Sequence, residues 1–296
     1  MKKLAIALAA VLACGVVNAA DTLARIKAAG KITIGTRDSS APLAYTIGDG
    51  KYVGYHVDVC LKIADAIKLA LKAPTMPIEY TVVTSANRVP LVQNGTVDME
   101  CGSTTNSTAR AQQVAFAPTT FVTNVRTAVK ANSGITSIAQ LNGRTIATTT
   151  GTTSVQLLRK HEKAGGADFK ELFGKDHADS FLLLESGRAD AFVMDDNILA
   201  GLIVNAKNPA EFKIVGESLS EEPIAIMIPK DDPAYKKLVD DTVIGLMKSG
   251  ELDKMYAKWF MSPVPPRNAI VGMPMSAALK NAIANPNDKP VEAYKK

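Results

Sequence analysis

What most constrains the fold of this chain is a hydrophobic period that keeps switching between two and about three and a half. Residues 31–36 alternate and are rich in β-branched side chains, which predicts a strand. Residues 57–71 then place Val57, Cys60, Leu61, Ala64, Ile67 and Leu71 on one helical face. A strand over 78–83, a short helix over 87–93 stopped near Gly95, and a strand over 97–101 follow. The middle of the chain repeats the pattern, with strands over 145–148 and 191–194 and helices over 152–160 and 178–185. A strand over 224–228, an amphipathic helix over 233–247 and a further helix carrying Met255, Trp259 and Phe260 come next. Strands alternating with helices predict an α/β fold built on mostly parallel sheets.

The edges of this pattern are marked by breakers. Gly30 closes a short helix, Thr22–Ala29, and Gly48-Asp49-Gly50 makes a turn. Pro263, Pro265 and Pro266 end regular structure, and residues 268–296 carry only a weak helical pattern expected to wrap the surface. One internal echo stands out. Residues 91–98 and 183–190 both read as a helix end, a capping glycine and an aspartate leading into a strand. Two lobes of like architecture would produce it.

The first residues address the compartment. Lys2 and Lys3 precede a charge-free apolar run over 4–17, too short for the span of about 20 residues that a bilayer needs. Val17-Asn18-Ala19 supplies small residues at cleavage positions, so residues 1–19 read as a signal peptide cut after Ala19. A lipoprotein box ending at Cys14 is the lesser alternative, because Leu12 fits it poorly. Export to the periplasm is expected. The formal net charge of +5 falls to +3 without Lys2 and Lys3, and no long basic run is present, which disfavours a nucleic-acid partner. Cys60 and Cys101 are compatible with a disulfide or with two small buried apolar residues. No His/Cys spacing suits a metal, and no cofactor is expected.

In open α/β sheets, ligands sit beyond the carboxyl ends of the strands. Those positions hold Arg37; Ser85 and Arg88; Ser103, Thr105 and Arg110; Thr152 and Thr153 at a helix start; and Asp195, while His177 precedes the helix over 178–185. Taken singly, each has an ordinary explanation as a solvated strand end, a helix cap or a surface ion pair. Together they form a set with chemical meaning. Arginine holds carboxylates bidentately, and a helix start attracts anions. An amino acid engages one arginine through its α-carboxylate and Asp195 through its ammonium. Two arginines then remain, which points to a second acid group on the ligand. Thr149 to Ser154 lacks the lysine of a phosphate-binding loop, so nucleotides are disfavoured. His56 and His161 read as structural, Met99, Cys101, Met194 and Met255 as core, and Glu221-Glu222 as a solvated turn.

Several stretches carry a family resemblance. They are Gly35-Thr36-Arg37-Asp38-Ser39-Ser40, Thr84-Ser85-Ala86-Asn87-Arg88-Val89-Pro90-Leu91, Cys101-Gly102-Ser103-Thr104-Thr105-Asn106, Gly151-Thr152-Thr153-Ser154, Lys175-Asp176-His177-Ala178-Asp179-Ser180-Phe181, Leu184-Glu185-Ser186-Gly187-Arg188-Ala189 and Met194-Asp195-Asp196. In this order, with Trp259-Phe260, the chain resembles the glutamate/aspartate-binding proteins of bacterial ABC importers, of the two-lobed type II periplasmic binding fold.

The resemblance implies a lobe from residues 20–121 and 222–296, a second from 122–221, and hinge strands near 116–124 and 216–223. It implies that Arg110, backbone groups around Thr105 and the helix start at Thr152 and Thr153 hold the α-carboxylate. Asp195, helped by Ser103, would hold the ammonium, and Arg37, Ser85, Arg88 and His177 the side-chain carboxylate. L-glutamate or L-aspartate and an inner-membrane permease are the implied partners of a monomer without enzymatic activity. The competing expectation is an enzyme like cyclohexadienyl dehydratase, with His177 or Asp195 as acid or base. A sensory binding domain is a third, and no signalling segment follows the tail.

Overall fold

The computed structural model describes residues 21–165 and 168–294. The expected signal peptide and Cys14 lie outside the described residues.

Two five-stranded sheets carry the molecule. The first runs in the order Ile78–Val82, Ile32–Thr36, Met99–Glu100, Met227–Ile228, Ala115–Phe116. The second runs Lys170–Gly174, Thr145–Thr149, Ala191–Asp195, Phe121–Lys130, Phe212–Ile224. In each sheet only the fourth strand is reversed, pairing antiparallel on both sides while the other strands share one direction. The sheets are therefore mostly parallel, and they share one plan.

The echo read in the sequence is a piece of that plan. Gly95 and Gly187 adopt φ of 75° and 74°, left-handed values that glycine takes without strain. Val97 N–H then donates to Leu91 O at 3.1 Å, and Ala189 N–H to Leu183 O at 2.9 Å. Asp98 binds the start of the strand Ile32–Thr36 twice, donating from its N–H to Thr33 O and accepting from Thr33 N–H on Oδ2. Asp190 does the same with Thr145 O and Thr145 N–H. An arginine caps each, Arg25 on Asp98 and Arg144 on Asp190. In both halves a short aspartate satisfies backbone groups that the strand edge would otherwise leave bare.

Helices cover both sheets. Tyr55–Ala70, Pro233–Lys248 and Glu251–Phe260 pack on the first sheet around buried Tyr55, Ile63, Tyr256 and Phe260. Phe121 belongs to the same cluster and stacks on Phe260 at 5.1 Å, so the start of the second sheet's long strand is anchored in the first half's core. His177–Glu185 and Asp196–Val204 cover one face of the second sheet, with Phe181, Phe192 and Ile198 between them. Thr153–Gly165 covers the other face through Leu158.

Several expected elements differ in extent. The strand expected over 97–101 shortens to Met99–Glu100, because the Asp98 turn occupies its first residues. The one expected over 224–228 divides. Ile224 ends the long strand of the second sheet, and Met227–Ile228 enters the first. A small antiparallel sheet of Ser39–Ser40, Ala44–Thr46 and Tyr52–Val53 had no readable signal, since two or three residues are too few to show a period. The strand Lys170–Gly174 and the helix Asp196–Val204 were also not read. Cys60 and Cys101 form a disulfide, which resolves the choice the sequence left open.

The chain passes between the halves as a paired ribbon, with Val122 opposite Pro223 and Asn124 opposite Glu221. The C-terminal segment, including the helix Ala277–Ala284, runs over this crossing. Thr119 N–H donates to Asn287 O, and Val291 N–H donates to Asn106 O.

Candidate functional site

The carboxyl ends of the two sheets face each other, and nine of the ten expected residues sit on them, Arg110 lying farther on in the short helix Thr108–Ala111. From the first half, Arg37 follows Ile32–Thr36, Ser85 follows Ile78–Val82, Arg88 opens the helix Arg88–Gln93, and Ser103 and Thr105 follow Met99–Glu100. From the second, Thr152 and Thr153 follow Thr145–Thr149, His177 opens its helix after Lys170–Gly174, and Asp195 ends its strand. The approach is close. A Cβ on Gly151 would meet the Ala86 backbone at 2.8 Å, and one on Gly201 would collide with Ala41 O.

Eight of the ten expected residues line one small, tightly packed cavity: Ser85, Arg88, Ser103, Thr105, Thr152, Thr153, His177 and Asp195, with Met194 beside them. Met194 thus borders the cavity as well as the core to which the sequence assigned it. Arg110 is half-buried at the rim, where Nη1 donates to Thr105 O at 3.0 Å and Nη2 to Gly151 O at 3.3 Å. Larger surface hollows lie elsewhere, one of them against the C-terminal segment beside Thr119, Glu221 and Asn287. What separates the central cavity from them is unpartnered charge. Arg88 is 2% exposed, and its Nε and Nη1 have no hydrogen-bond partner among the described residues. Ser85 Oγ and Asp195 Oδ1 are likewise buried and unpartnered. Native chains leave few such groups, so a cluster of them around one cavity calls for a ligand.

The electrostatics point the same way. Burial, reinforced by Arg110, pushes the Arg88 guanidinium well below its usual pKa. Burial, reinforced by Glu222 and Asp196, pushes the Asp195 carboxyl well above the ordinary carboxylate range. A cation and an anion in one cavity, each penalised without a counter-charge, are relieved by a molecule that brings both signs.

Arg37 stands behind the cavity wall. Its Nη1 donates to Ser103 Oγ at 3.3 Å and its Nη2 to Asp176 Oδ1 at 2.7 Å. Nη2 also lies 3.2 Å from His177 Nε2. An arginine only donates, so His177 Nε2 accepts, and the ring proton sits on Nδ1, 3.0 Å from Thr149 Oγ1. Thr149 Oγ1 then passes its own proton to Ser180 Oγ, which donates to Thr148 O. This chain holds His177 neutral, in line with a pKa lowered to about 3 by burial and then by Arg37. With both nitrogens engaged, His177 is a fixed hydrogen-bonding group, a poor start for proton transfer. Ser39 adds a second tie between the halves, donating to Asp176 Oδ2 at 2.7 Å and accepting from Ala178 N–H at 3.1 Å. Burial tends to raise the Asp176 carboxyl, but the influences led by the Arg37 charge outweigh it and the pKa falls below the usual value.

Two α/β halves of one plan, closed over a cavity with unpaired charges of both signs, match a family in sequence. Residues 32–262 match bacterial extracellular solute-binding proteins, family 3. The chain belongs to that family. Among its relatives is the glutamate/aspartate import solute-binding protein of Escherichia coli (strain K12), 43% identical over 92% of this chain and 90% of that protein. The L-glutamate/L-aspartate-binding protein of Pseudomonas aeruginosa is also 43% identical, over 92% of this chain and 90% of its own. Among solved structures, an ancestral amino acid-binding protein, a precursor of cyclohexadienyl dehydratase, superposes with a TM-score of 0.70 at 25% identity, covering 80% of this chain and 99% of that one. The two-lobed fold of family 3 is therefore the fold of this chain. The relatives' names describe binding proteins for import, not dehydratases.

Three residues that shape this family 3 site escaped the sequence reading. Asp176 was passed over, although an aspartate at a helix N-cap next to a candidate histidine was a readable signal. Glu100 is fully buried, with Oε2 accepting from Thr104 Oγ1 at 2.6 Å and Oε1 unpartnered. The reading of Glu221-Glu222 as a solvated turn is corrected for Glu222. The pair lies in the strand Phe212–Ile224, whose period of two exposes Glu221 and buries Glu222 at 2% exposure. Glu222 Oε2 accepts from Thr105 Oγ1 at 2.7 Å and from Thr153 Oγ1 at 2.8 Å. His56 is structural as expected: Nδ1 donates to Gly102 O at 2.6 Å, and burial lowers its pKa to about 4.

Proposed function

We propose that this chain binds L-glutamate and L-aspartate in the periplasm and presents them to the permease of an ABC importer. The observation that carries the reading is the cavity itself. Arg88 and Ser85 on one side and Asp195 on the other are buried with unpartnered polar atoms. An acidic amino acid supplies the missing partners, an ammonium for Asp195 and carboxylates for the arginines.

In this reading Arg110, backbone groups around Thr105 and the helix start at Thr152 and Thr153 hold the α-carboxylate, the helix contributing its free N–H groups and partial positive charge. Asp195, with Ser103, holds the ammonium. Ser85 and Arg88 hold the side-chain carboxylate, with the His177 ring beside it. Arg37 serves the same end, braced by Asp176. The neutral His177 ring only lines this pocket, since its Nδ1 proton is committed to Thr149 and its Nε2 accepts from Arg37.

Residues 20–121 with 222–296 form one lobe and residues 122–221 the other, flexing about the strands near 116–124 and 216–223. Closure is favoured when ligand pairs the charges that closure buries, and the closed shape is what a permease reads. Residues 1–19 serve as the export signal, and the mature chain acts as a monomer.

The test is isothermal titration calorimetry on mature protein, unfolded and refolded to strip bound ligand. Glutamate, aspartate, glutamine and asparagine are compared. Either acid should bind one to one. Its amide should bind about a hundredfold more weakly, because a neutral amide leaves a buried guanidinium unpaired. No heat from either acid in folded protein would reject the reading.

A further inference from the structure

Glu222 is a buried acid that the roles above leave unused. It is not part of the cavity wall, yet its two hydrogen-bond donors, Thr105 and Thr153, are. A threonine hydroxyl has one proton and two lone pairs. Both protons are committed to Glu222 Oε2, at 2.7 and 2.8 Å. Each hydroxyl oxygen can therefore offer the cavity only lone pairs. The unpartnered Asp195 Oδ1 borders the same space. The three elements are independent in the chain. Thr105 follows a strand of the first sheet, Thr153 starts a helix on the second, and Glu222 lies on the strand that crosses between them. One carboxylate thus sets the hydroxyls of both halves.

We propose that Glu222 is a positioning residue that turns the Thr105 and Thr153 hydroxyls into acceptors for the ligand's ammonium. The inference rests on the cavity being an amino-acid site and adds what makes it selective for the amine. The ammonium carries three protons, and the two threonine oxygens add acceptors to those of Asp195 and Ser103. After burial, Glu222 is also the foremost influence raising the Asp195 carboxyl, so these acids make a negative corner that a cation relieves. A dicarboxylic acid without the amine presents the same carboxylates to the arginines and gains nothing from Glu222.

The experiment compares L-glutamate with glutarate, and L-aspartate with succinate, by calorimetry on the whole mature chain. The amine-free acids are measured by displacement of the amino acid where their own heats are small. In Glu222→Gln, glutamate affinity should fall about ten- to a hundredfold, the scale of a lost charge-assisted hydrogen bond. Glutarate affinity should stay within about threefold of the unsubstituted protein, on the same scale. Thr153→Val, which keeps Glu222, should lower the glutamate-to-glutarate ratio in the same direction. It carries the test together with Thr105→Val if Glu222→Gln does not fold. Equal losses for both ligands would mean that Glu222 merely braces the crossing, and an unchanged ratio would mean that it does nothing for the amine. Either overturns the proposal. Unsubstituted protein that binds neither acidic amino acid would instead remove the reading on which the proposal stands, and that titration is done first.

Discussion

Arg88→Met tests the reading of the cavity most directly, because the two consequences it predicts differ in sign. Methionine keeps much of the apolar stem and removes the guanidinium. Arg88 is 2% exposed with Nε and Nη1 unpartnered, so a ligand carboxylate is the partner it lacks. Deleting one partner of a buried, hydrogen-bonded ion pair costs about 3–5 kcal/mol. That corresponds to a rise in Kd for glutamate of about two to three and a half decades. Glutamine should lose far less, since its amide never neutralised the cation, and the preference for acid over amide should collapse. The ligand-free protein should behave in the opposite way. Burial and the neighbouring Arg110 already work against the Arg88 charge. Removing an unpaired buried cation does not cost stability and can add to it. Scanning calorimetry should therefore give a ligand-free Tm equal to or above that of the unsubstituted protein. A glutamate Kd within about threefold of the unsubstituted value would refute the reasoning. So would a ligand-free Tm lowered by several degrees, which would make Arg88 a structural residue.

Asp195 should couple binding to protons. Between the ordinary value of 3.8 and its raised folded pKa, the ligand-free fold holds a proton that the unfolded chain has lost, so this group's contribution to stability falls as pH rises through that window. A bound ammonium lowers the pKa again, so ligand affinity falls as pH drops through the ligand-free value. Calorimetry in buffers of different ionisation enthalpy should register proton release on binding, within that window, that is absent in Asp195→Asn; buffer-independent heats for both proteins would contradict this. Gly201→Ala should improve the propensity of the helix Asp196–Val204 by about 1 kcal/mol and yet weaken binding, because the new Cβ collides with Ala41 O across the closed halves. Undiminished affinity would mean that this approach is not needed for binding. Replacing Cys60 and Cys101 by alanine should lower the unfolding free energy by about 4 kcal/mol, from the loop entropy of a 41-residue separation, while leaving glutamate affinity nearly unchanged at 25 °C. Urea titration with a ligand-binding control separates the two effects.

The strand-end rule made the cavity legible before the fold was seen. Arg37, Ser85, Arg88, Thr152 and Asp195 each follow a strand-like run and His177 precedes a helix, and the structure places every one where the two sheets face each other. The rule is local: it needs the end of a strand and not the identity of its neighbours. Sheet order is different. Nothing in residues 224–228 states that Ile224 pairs with Phe121 while Met227 pairs with Phe116 in the other sheet. Those pairings depend on how two distant segments cross, so the sequence showed one strand where the fold has two. The echo at Gly95 and Gly187 was readable because turn chemistry is again local: a positive φ, a short acidic side chain and a strand start within a few residues.

Glu222 marks the limit of local reading. Two adjacent glutamates suggest a solvated turn, because burying either charge is expensive unless it is hydrogen-bonded. Within a strand, however, neighbours point to opposite faces, and the register Glu222 opposite Thr123 sends one of them inward. The compensation for that burial comes from Thr105 and Thr153, which lie 117 and 69 residues away. A sequence can display each of these residues but not their meeting. The same separation explains Arg37, whose partner Asp176 is 139 residues distant. In both cases a carboxylate hidden in a long-range contact sets what a residue readable from its strand end can do. Arg37 is steered by Asp176, and Thr105 and Thr153 are left as acceptors by Glu222. The residues that line the cavity can thus be read from strand ends, while those that orient them require the crossing of the chain.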